Sequence, residues 1–287
     1  MEQSNSAVIE KIKRSIQNLP TLPTVLSLLN DAMANPMTTT DDVAKIIATD
    51  QASAFKVLRV ANSPFYGFSG RIDTISQAIL HLGFNEVRNI VLALSIINLF
   101  SKNKTLLSFK PVNFWHHSIA VGVTTRMIGS HCGSSNLENY FLSGILHDIG
   151  KLLFFEYADT EYIKVLTIVD QKGVFIREAE KEVFGIDHAD AAKLLAERWR
   201  LPFSIKNALA YHHTGVVNTV PDILTSAVHL ADIFARMMEL GYPGDNLVPQ
   251  PNKHIWTVLK LPRDFFSKFS AQIISSYEES VNLLLHD

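Results

Sequence analysis

Residues 141–151 read FLSGILHDIGK, a stretch that places a His-Asp pair at the end of an apolar helix. Apolar side chains spaced about one helical turn apart predict this helix, and Gly150 is expected to close it. The apolar residues are Phe141, Leu142, Ile145 and Leu146. Adjacent His147 and Asp148 point about 100° apart on a helix, yet a metal ion over the helix end is within reach of both. The structural alternative is that His147 caps the helix end and Asp148 pairs with Lys151.

The same helical spacing extends over most of the chain. Prolines, glycines and capping patterns such as Thr74 with Gln77 mark where helices stop and start. No run of alternating apolar and polar residues indicates strands, and the 13 glycines and 11 prolines are too few for a turn-rich all-β protein. The sequence therefore predicts an all-α fold. The predicted helices cover about residues 8–19, 22–34, 39–47, 52–61, 74–82, 86–100, 111–131, 137–149, 161–171, 175–184, 188–199, 202–213, 221–238 and 262–284.

Composition excludes several classes of protein. Hydrophobic residues make up 47% of the 287, which rules out wholesale disorder. The 26 basic and 28 acidic side chains give a net charge of −2, so we expect no direct binding of nucleic acid. The lone Cys132 has no partner for a disulfide, as is usual in a reducing compartment. Residues 1–6 lack the features of a secretory signal, and the densest apolar run, 90–100, is too short to span a bilayer. We expect a cytoplasmic protein without membrane contacts.

Further histidines and acids carry the same chemistry as the His-Asp pair. His117 lies inside an apolar helix, and His212 and His213 end another. Asp232 lies in a third, where it needs a partner because burying an unpaired carboxylate is costly. Imidazole and carboxylate are suitable ligands for Zn, Fe, Ni or Mn. Several helices that each donate ligands inward can build a metal site in an all-α core, so the pattern favours one here.

The order of these residues resembles that of a known superfamily. His117, then His147 with Asp148, then Asp232 follow the H…HD…D order of the HD superfamily, a class of all-α metal-dependent phosphohydrolases. HDIGK at 147–151 resembles the H-D-x-G-K form of its signalling branches. Other motifs resemble the HDOD domain, an HD-related output domain of bacterial signalling proteins, and the resemblance covers about residues 13–238. These motifs are LPTLP (19–23), ANSPFY (61–66), ILHLG (79–83), FWHHS (114–118), GIDHAD (185–190), WRLP (199–202) and YHH (211–213).

The resemblance implies both an architecture and a set of site residues. An N-terminal helical bundle would pack on an HD-like bundle, with sub-domains at 1–105 and 106–287. Asp148 and Lys151 would be the catalytic residues, with Lys151 as a point charge for a phosphate oxygen. The cofactor would be a divalent metal (Fe, Mn, Zn or Ni), as one ion or two. The implied ligands are His117, His147, Asp148 and Asp232 for the first ion, and His188, His212 and His213 for a second.

One tripeptide matches the signature of a related family but stands in the wrong place. Gly241-Tyr242-Pro243 spells the motif of the HD-GYP cyclic-dinucleotide phosphodiesterases. In that family the tripeptide follows the paired histidines and precedes the last Asp ligand, whereas here it follows Asp232. We therefore predict a turn at this position, and the tripeptide gives no support to cyclic-di-GMP hydrolysis.

Three functions stay open at this point. The first is a bacterial signal-transduction output module, non-catalytic or weakly catalytic, that acts on a signalling protein partner or a phosphorylated small-molecule ligand. No receiver domain is visible in the chain, so its input is expected from another protein or a ligand. The second is a metal-dependent phosphohydrolase acting on a nucleotide or cyclic nucleotide. The third is a structural scaffold with an empty histidine cluster. The helix after residue 262 either caps the core or mediates a homodimer.

Overall fold

The structure is a computed structural model that describes residues 24–66, 70–100 and 105–285. Over these ranges the regular structure consists of helices and one short two-stranded hairpin, which confirms the all-α prediction. The helix predicted over 8–19 and the proline break at 19–23 lie outside the described residues.

The described helices of the first hundred residues have 8 to 16 residues, and the later ones have 4 to 21. The first are α1 (Thr24–Ala34), α2 (Thr40–Ala48), α3 (Gln51–Ala61), α4 (Ile75–Leu82) and α5 (Phe84–Leu99). Next come α6 (Pro111–His131), α7 (Leu137–Leu146), α8 (Ile149–Tyr157), α9 (Asp159–Lys172), α10 (Ile176–Phe184), α11 (His188–Arg198) and α12 (Phe203–Tyr211). The hairpin pairs β1 (Val216–Val217) with β2 (Val220–Pro221). The last helices are α13 (Ile223–Met237), α14 (Trp256–Leu259) and α15 (Phe265–Leu285).

The Cα atoms cluster into two compact units. Among the described residues, the larger unit contains 105–273, and the smaller unit contains 24–66, 70–100 and 274–285. The last part of α15 thus belongs to the same unit as α1 to α5. The sub-domain limits of 1–105 and 106–287 stay a prediction.

In the smaller unit, polar caps set where helices begin. Thr39 and Asp42 form a capping box at the start of α2, and Thr74 and Gln77 form the predicted one at the start of α4. Such a box satisfies backbone N–H groups that have no partner inside the helix. Helix α5 supplies much of the core of this unit, since most of its residues between 87 and 97 are buried.

In the larger unit, two glycines let helices α6 and α7 pack closely. A Cβ atom on Gly144 of α7 would lie 2.6 Å from the Cα atom of Gly122 of α6, so neither position has room for a side chain. Helix α6 also packs on α13 and is buried along most of its length. This close packing brings the middle of α6, the end of α7 and the middle of α13 together.

The prediction that Gly150 closes a helix is wrong. Helix α7 ends earlier, at Leu146, and Gly150 lies inside the next helix, α8. Its role is close approach rather than termination, because a Cβ atom here would lie 2.0 Å from the backbone oxygen of His188. The glycine therefore lets α8 pass directly against the start of α11.

No single helix in the described ranges is both long and apolar enough to cross a membrane. Helices α4 and α5 together have the length and composition for a span, but they are bent by 117° where they meet.

Candidate metal centre

Seven histidine and aspartate side chains of the larger unit meet in its interior. His117 comes from α6, His147 and Asp148 from the junction of α7 and α8, and Asp232 from α13. The other three are His188, the first residue of α11, and His212 and His213, which follow α12. All are buried except His213, which is of intermediate exposure. The structure therefore brings together the seven residues that were predicted as metal ligands.

The Asp148 carboxylate joins two groups of imidazoles. One of its oxygens, Oδ2, lies 3.3 Å from His147 Nε2 and is ion-paired with Lys151 Nζ. The other, Oδ1, lies 3.0 Å from His188 Nε2 and 3.5 Å from His212 Nε2. Potential ligand atoms lie within 4.8 Å of one another in two sets. One set is His117, His147 and Asp148, and the other is His188, His212 and His213.

Asp232 connects the first set to a buried arginine. Its Oδ1 atom lies 3.0 Å from His117 Nε2 and accepts a hydrogen bond of 2.9 Å from Arg236 Nε. Arg236 also donates to Asp245 Oδ1 at 2.8 Å. Burial alone would raise the pKa of Asp232, but Arg236 and His117 hold that pKa well below its ordinary value. Asp232 is therefore ionised, as a carboxylate ligand must be.

Backbone carbonyls fix the tautomer of two histidines. His147 Nδ1 lies 2.7 Å from Gly144 O, and His212 Nδ1 lies 2.8 Å from Leu209 O. A carbonyl oxygen only accepts, so each Nδ1 carries the proton and each Nε2 keeps its lone pair. Both Nε2 atoms lie near Asp148. This is the arrangement by which proteins orient metal-binding imidazoles.

His188 is held by a carboxylate instead. Glu180, on α10, accepts from His188 Nδ1 at 2.5 Å and from the His188 backbone N–H at 2.9 Å, both at Oε2. Burial lowers the pKa of His188, but Glu180 and Asp148 raise it, and the resulting pKa is about 9. In the absence of a metal ion, His188 is therefore a cation between two carboxylates.

Burial disfavours the charged form of three of the other imidazoles, those of His117, His212 and His213. Burial lowers the pKa of His212 to about 4, and it lowers the pKa of His213 well below its ordinary value. Burial also lowers the pKa of His117, against the opposing effect of Asp232. Neutral imidazoles have the free lone pair that a metal ion requires.

Several of these buried atoms lack a hydrogen-bond partner in the described part of the chain. The atoms are Nε2 of His147, His212 and His213. A buried polar atom without a partner costs about 1–3 kcal/mol. A divalent cation would give these atoms the partner they lack, so the residues fit a metal centre.

Access to the centre is narrow. A cleft of about 20 Å³ reaches it between the start of α10 and the segment around Pro249. This volume is about what one water molecule needs. His188, His213, Asp232 and Arg236 line its inner part.

The remaining predictions concern Lys151 and the Gly241-Tyr242-Pro243 tripeptide. Lys151 is fully buried, and its ammonium group pairs with Asp148, as in the structural alternative described above. The tripeptide lies in an irregular segment after α13 that bends at Gly241. Gly241 has φ +77° and packs on the backbone of α6, where the Tyr242 backbone N–H donates to Asn113 O at 2.9 Å.

Sequence reasoning missed three buried residues around the ligands. Glu180 orients His188, whereas Arg236 and Asp245 support Asp232. A signal was present for Glu180, because it shares the buried face of α10 with Ile176 and other apolar residues. An acid on an apolar face needs a partner, which is the argument that singled out Asp232.

The helical fold and the His/Asp centre define an HD-like all-α protein. The chain belongs to the HDOD domain family, whose pattern it matches over residues 19–215. This confirms the resemblance drawn from the motifs.

Solved structures share the fold over nearly the whole chain. An HDOD domain protein of unknown function from Geobacter sulfurreducens is 25% identical, with 99% of each chain covered and a TM-score of 0.79. A Shewanella amazonensis protein named as a candidate phosphohydrolase is 21% identical, with 94% of this chain and 97% of that chain covered and a TM-score of 0.69. A Marinobacter aquaeolei protein named as a candidate signal transduction protein is 17% identical, with 99% and 67% covered and a TM-score of 0.74.

A curated relative is considerably longer than this chain. It is an uncharacterized protein of Treponema pallidum that is 22% identical over 214 residues, which are 74% of this chain. The match covers 41% of the length of that relative.

Proposed function

We propose that this protein is a bacterial regulatory module whose His/Asp centre binds one or two divalent metal ions. Its role is to bind a protein partner or sense a ligand rather than to turn over a substrate rapidly. The observation that carries this proposal is a nearly complete ligand set behind a cleft of about 20 Å³. Sites that take small organic molecules usually have about 300–1,000 Å³. The centre as it stands has room for an ion or a water molecule, but not for a nucleotide.

The candidate ligands form two sets, each of which would hold one ion, and Asp148 lies beside both sets. His117, His147 and Asp232 would hold the first ion, while His188, His212 and His213 would hold the second. When bound, such an ion supplies Lewis acidity toward a phosphoryl oxygen. Mn, Fe, Zn and Ni all accept this mixture of imidazole and carboxylate ligands.

The chain's own residues orient the ligands and balance charge. Glu180 fixes the His188 ring, and Arg236 fixes the Asp232 carboxylate. Lys151 offsets the charge of Asp148 from within the core. A lysine committed in this way is not free to bind a substrate phosphate, which supports a structural or sensing role for the centre.

A second candidate function is a metal-dependent phosphohydrolase acting on a nucleotide or cyclic nucleotide. The observation that favours it is the position of Asp148, whose two oxygens face the two sets of imidazoles. A shared carboxylate between two ions about 3.5–4 Å apart is typical of sites that hydrolyse phosphoesters. In this function, Asp148 and Lys151 are the catalytic residues, and the cleft must open for the substrate.

A regulatory module of this kind receives its signal from a partner molecule. We propose that it acts in the cytoplasm, where a signalling protein or a phosphorylated small molecule is its partner. Two copies of the chain could pair as a homodimer. Nucleic acid and membrane are not proposed as partners.

The test is elemental analysis of the full chain, purified without a metal-affinity column, followed by an assay with bis(p-nitrophenyl) phosphate and added Mn²⁺ or Fe²⁺. We expect about one or two ions per chain, with less metal in His212→Ala, which removes a ligand of the second ion only, and hydrolysis at the background rate. Hydrolysis that disappears in His212→Ala would establish the phosphohydrolase instead. A chain that takes up no metal would leave only the structural scaffold with an empty histidine cluster.

A further inference from the structure

A side pocket of the larger unit is large enough for a small organic molecule. Its volume is about 540 Å³, against about 20 Å³ for the cleft at the metal centre. Sites that bind small organic molecules usually have about 300–1,000 Å³. The side pocket lies between the end of α9, the start of α6 and the segment that follows α13. The seven candidate metal ligands are not among its lining residues.

Hydrogen bonds fix the walls of the side pocket. Asp245 lines both this pocket and the cleft at the metal centre, so it stands between them. Its Oδ2 atom accepts from the Ile176 backbone N–H at 3.0 Å, and its Oδ1 atom accepts from the Leu247 backbone N–H at 3.0 Å. The Tyr242 backbone N–H donates to Asn113 O at 2.9 Å. Walls held in this way are formed before a ligand arrives, which lowers the entropy lost on binding.

The lining combines apolar and polar side chains. Leu166, Val169 and Val174 supply apolar surface. Tyr242 and Asn246 supply a phenol and an amide, both of which can form hydrogen bonds. Pockets for organic molecules are typically built from apolar walls with a few polar groups that orient the ligand. The side pocket therefore suits a molecule that has an apolar part and a polar group.

The charge of the side pocket is negative. The described residues that line it include two aspartates, Asp170 and Asp245, but no lysine, arginine or histidine. Arg236 donates to Asp245 at 2.8 Å and offsets its charge. Asp170 is exposed near the end of α9 and has no salt bridge within the described ranges. The carboxylate of Asp170 is therefore available to a cation.

Tyr242 lies within the electrostatic influence of both aspartates. Burial raises the pKa of its hydroxyl, a hydrogen bond with Ser108 lowers that pKa, and the charges of Asp245 and Asp170 raise it again. The phenol is therefore neutral at physiological pH. A tyrosine ring attracts a cation to its face, and proteins use such rings to bind organic ammonium ions. Asp170 adds a carboxylate that can pair with the same ligand.

We infer that the side pocket binds a small organic ammonium ion, with the charged group at Asp170 and Tyr242 and the apolar part against Leu166 and Val174. An anion such as a nucleotide is disfavoured there, because the described lining holds no cation to offset its repulsion by Asp170. The inference goes beyond the proposed function and does not rest on it, since the metal ligands take no part in this site.

The test is a ligand-observed NMR titration of the full chain with three compounds that share one ring and differ in charge. Phenethylamine is a cation at pH 7, 2-phenylethanol is neutral, and phenylacetate is an anion. We expect phenethylamine to bind the wild-type chain about fivefold more tightly than 2-phenylethanol, which is what an exposed ion pair can contribute. Phenylacetate should bind more weakly than either compound.

Asp170→Asn should remove the preference for the cation. Its affinity for phenethylamine should fall about fivefold, while its affinity for 2-phenylethanol stays the same. Asp159→Asn is the matched control, because it removes the same charge from the first turn of α9, about 16 Å away along the helix and outside the pocket lining. This variant should bind both compounds as the wild type does. Val174→Trp, which places a large ring in the pocket, should weaken the binding of both.

Three results would overturn the inference. They are a wild-type chain that does not bind phenethylamine, a wild-type chain that binds 2-phenylethanol or phenylacetate as tightly as phenethylamine, and equal phenethylamine affinities in Asp170→Asn and Asp159→Asn. The Asp170 comparison does not depend on Val174→Trp, whose fold is checked by its melting temperature.

Titration in EDTA separates this inference from the proposed function. At a temperature where the chain stays folded in EDTA, phenethylamine should bind as it does without the chelator. A chain found to hold no metal would then end the proposed function and leave this inference intact. Phenethylamine binding that disappears in EDTA would show that the amine binds a metal ion, and it would overturn the inference.

Discussion

Glu180 holds His188 at two points, the ring nitrogen Nδ1 at 2.5 Å and the backbone nitrogen at 2.9 Å, both through the same carboxylate oxygen. Both residues are fully buried. The paired contacts fix the ring at the start of α11, with its Nε2 atom 3.0 Å from Asp148 Oδ1. A carboxylate behind a histidine is the usual way in which a protein orients an imidazole toward a metal ion.

Glu180→Gln should weaken metal binding more than it weakens the fold. The amide still accepts the backbone hydrogen bond but removes the negative charge behind His188, and loss of such a partner typically costs about 10–100-fold in metal affinity. The measurement is a Mn²⁺ or Zn²⁺ dissociation constant from chelator competition, together with the melting temperature.

Glu182→Gln is the control for this prediction. Glu182 lies on the same helix, and its side chain is about half exposed and pairs with Lys172. Glu182→Gln removes this exposed ion pair and should leave the metal affinity unchanged. Equal metal affinity in the two variants would show that Glu180 is a structural residue only.

Arg236→Ala should strongly destabilise the larger unit. The change leaves Asp232 and Asp245 buried without their cation, and removal of one partner of a buried ion pair costs about 3–5 kcal/mol. The measurement is the free energy of unfolding in urea. Lys172→Ala removes an exposed ion pair and should cost at most about 1 kcal/mol. If the two variants lost similar stability, the Arg236 cluster would not hold Asp232 as described.

Gly150→Ala should also destabilise the protein, for a steric reason. The added Cβ would lie 2.0 Å from His188 O, so α8 and α11 must move apart. Overpacking of this kind typically costs about 1–3 kcal/mol, and here it also displaces two candidate ligands. The melting temperature and the metal affinity of Gly150→Ala should both be lower than those of the control Ser204→Ala, which changes an exposed residue of α12. Unchanged stability would mean that the helices are not packed this closely.

The helices and the ligand set could be predicted because they depend on local patterns. Apolar spacing and the caps at Thr39 and Thr74 fix helix limits from a few neighbouring residues. The order of His117, His147, Asp148 and Asp232 carried the family resemblance. Gly150 was misjudged because a glycine before a polar residue resembles a helix end, whereas its real constraint is the backbone of His188 nearly forty positions away.

The supporting residues could not be placed in the same way. Glu180 and Arg236 each look like an ordinary charged residue on a helix surface until the helix that packs against it is known. Burial and pairing between helices decide these roles, and neither is set by local sequence.

Metal ions should stabilise the wild-type chain more than they stabilise a variant that lacks one candidate ligand. An ion that binds only the folded state adds about 2.7 kcal/mol to the free energy of unfolding at a concentration 100 times its dissociation constant. For a domain of about 150–250 residues, this corresponds to a rise of about 5–10 °C in melting temperature. His212→Ala removes a buried ligand of the second ion only and leaves no unpaired charge, so Mn²⁺ should raise its melting temperature by less than it raises that of the wild type. His254→Ala, at an exposed position outside the centre, should respond as the wild type does. Two results would contradict this prediction. One is a wild-type melting temperature that does not change with Mn²⁺, Fe²⁺ or Zn²⁺, and the other is a rise in His212→Ala as large as in the wild type. Either would show that the unpaired nitrogens around Asp148 do not form a metal centre.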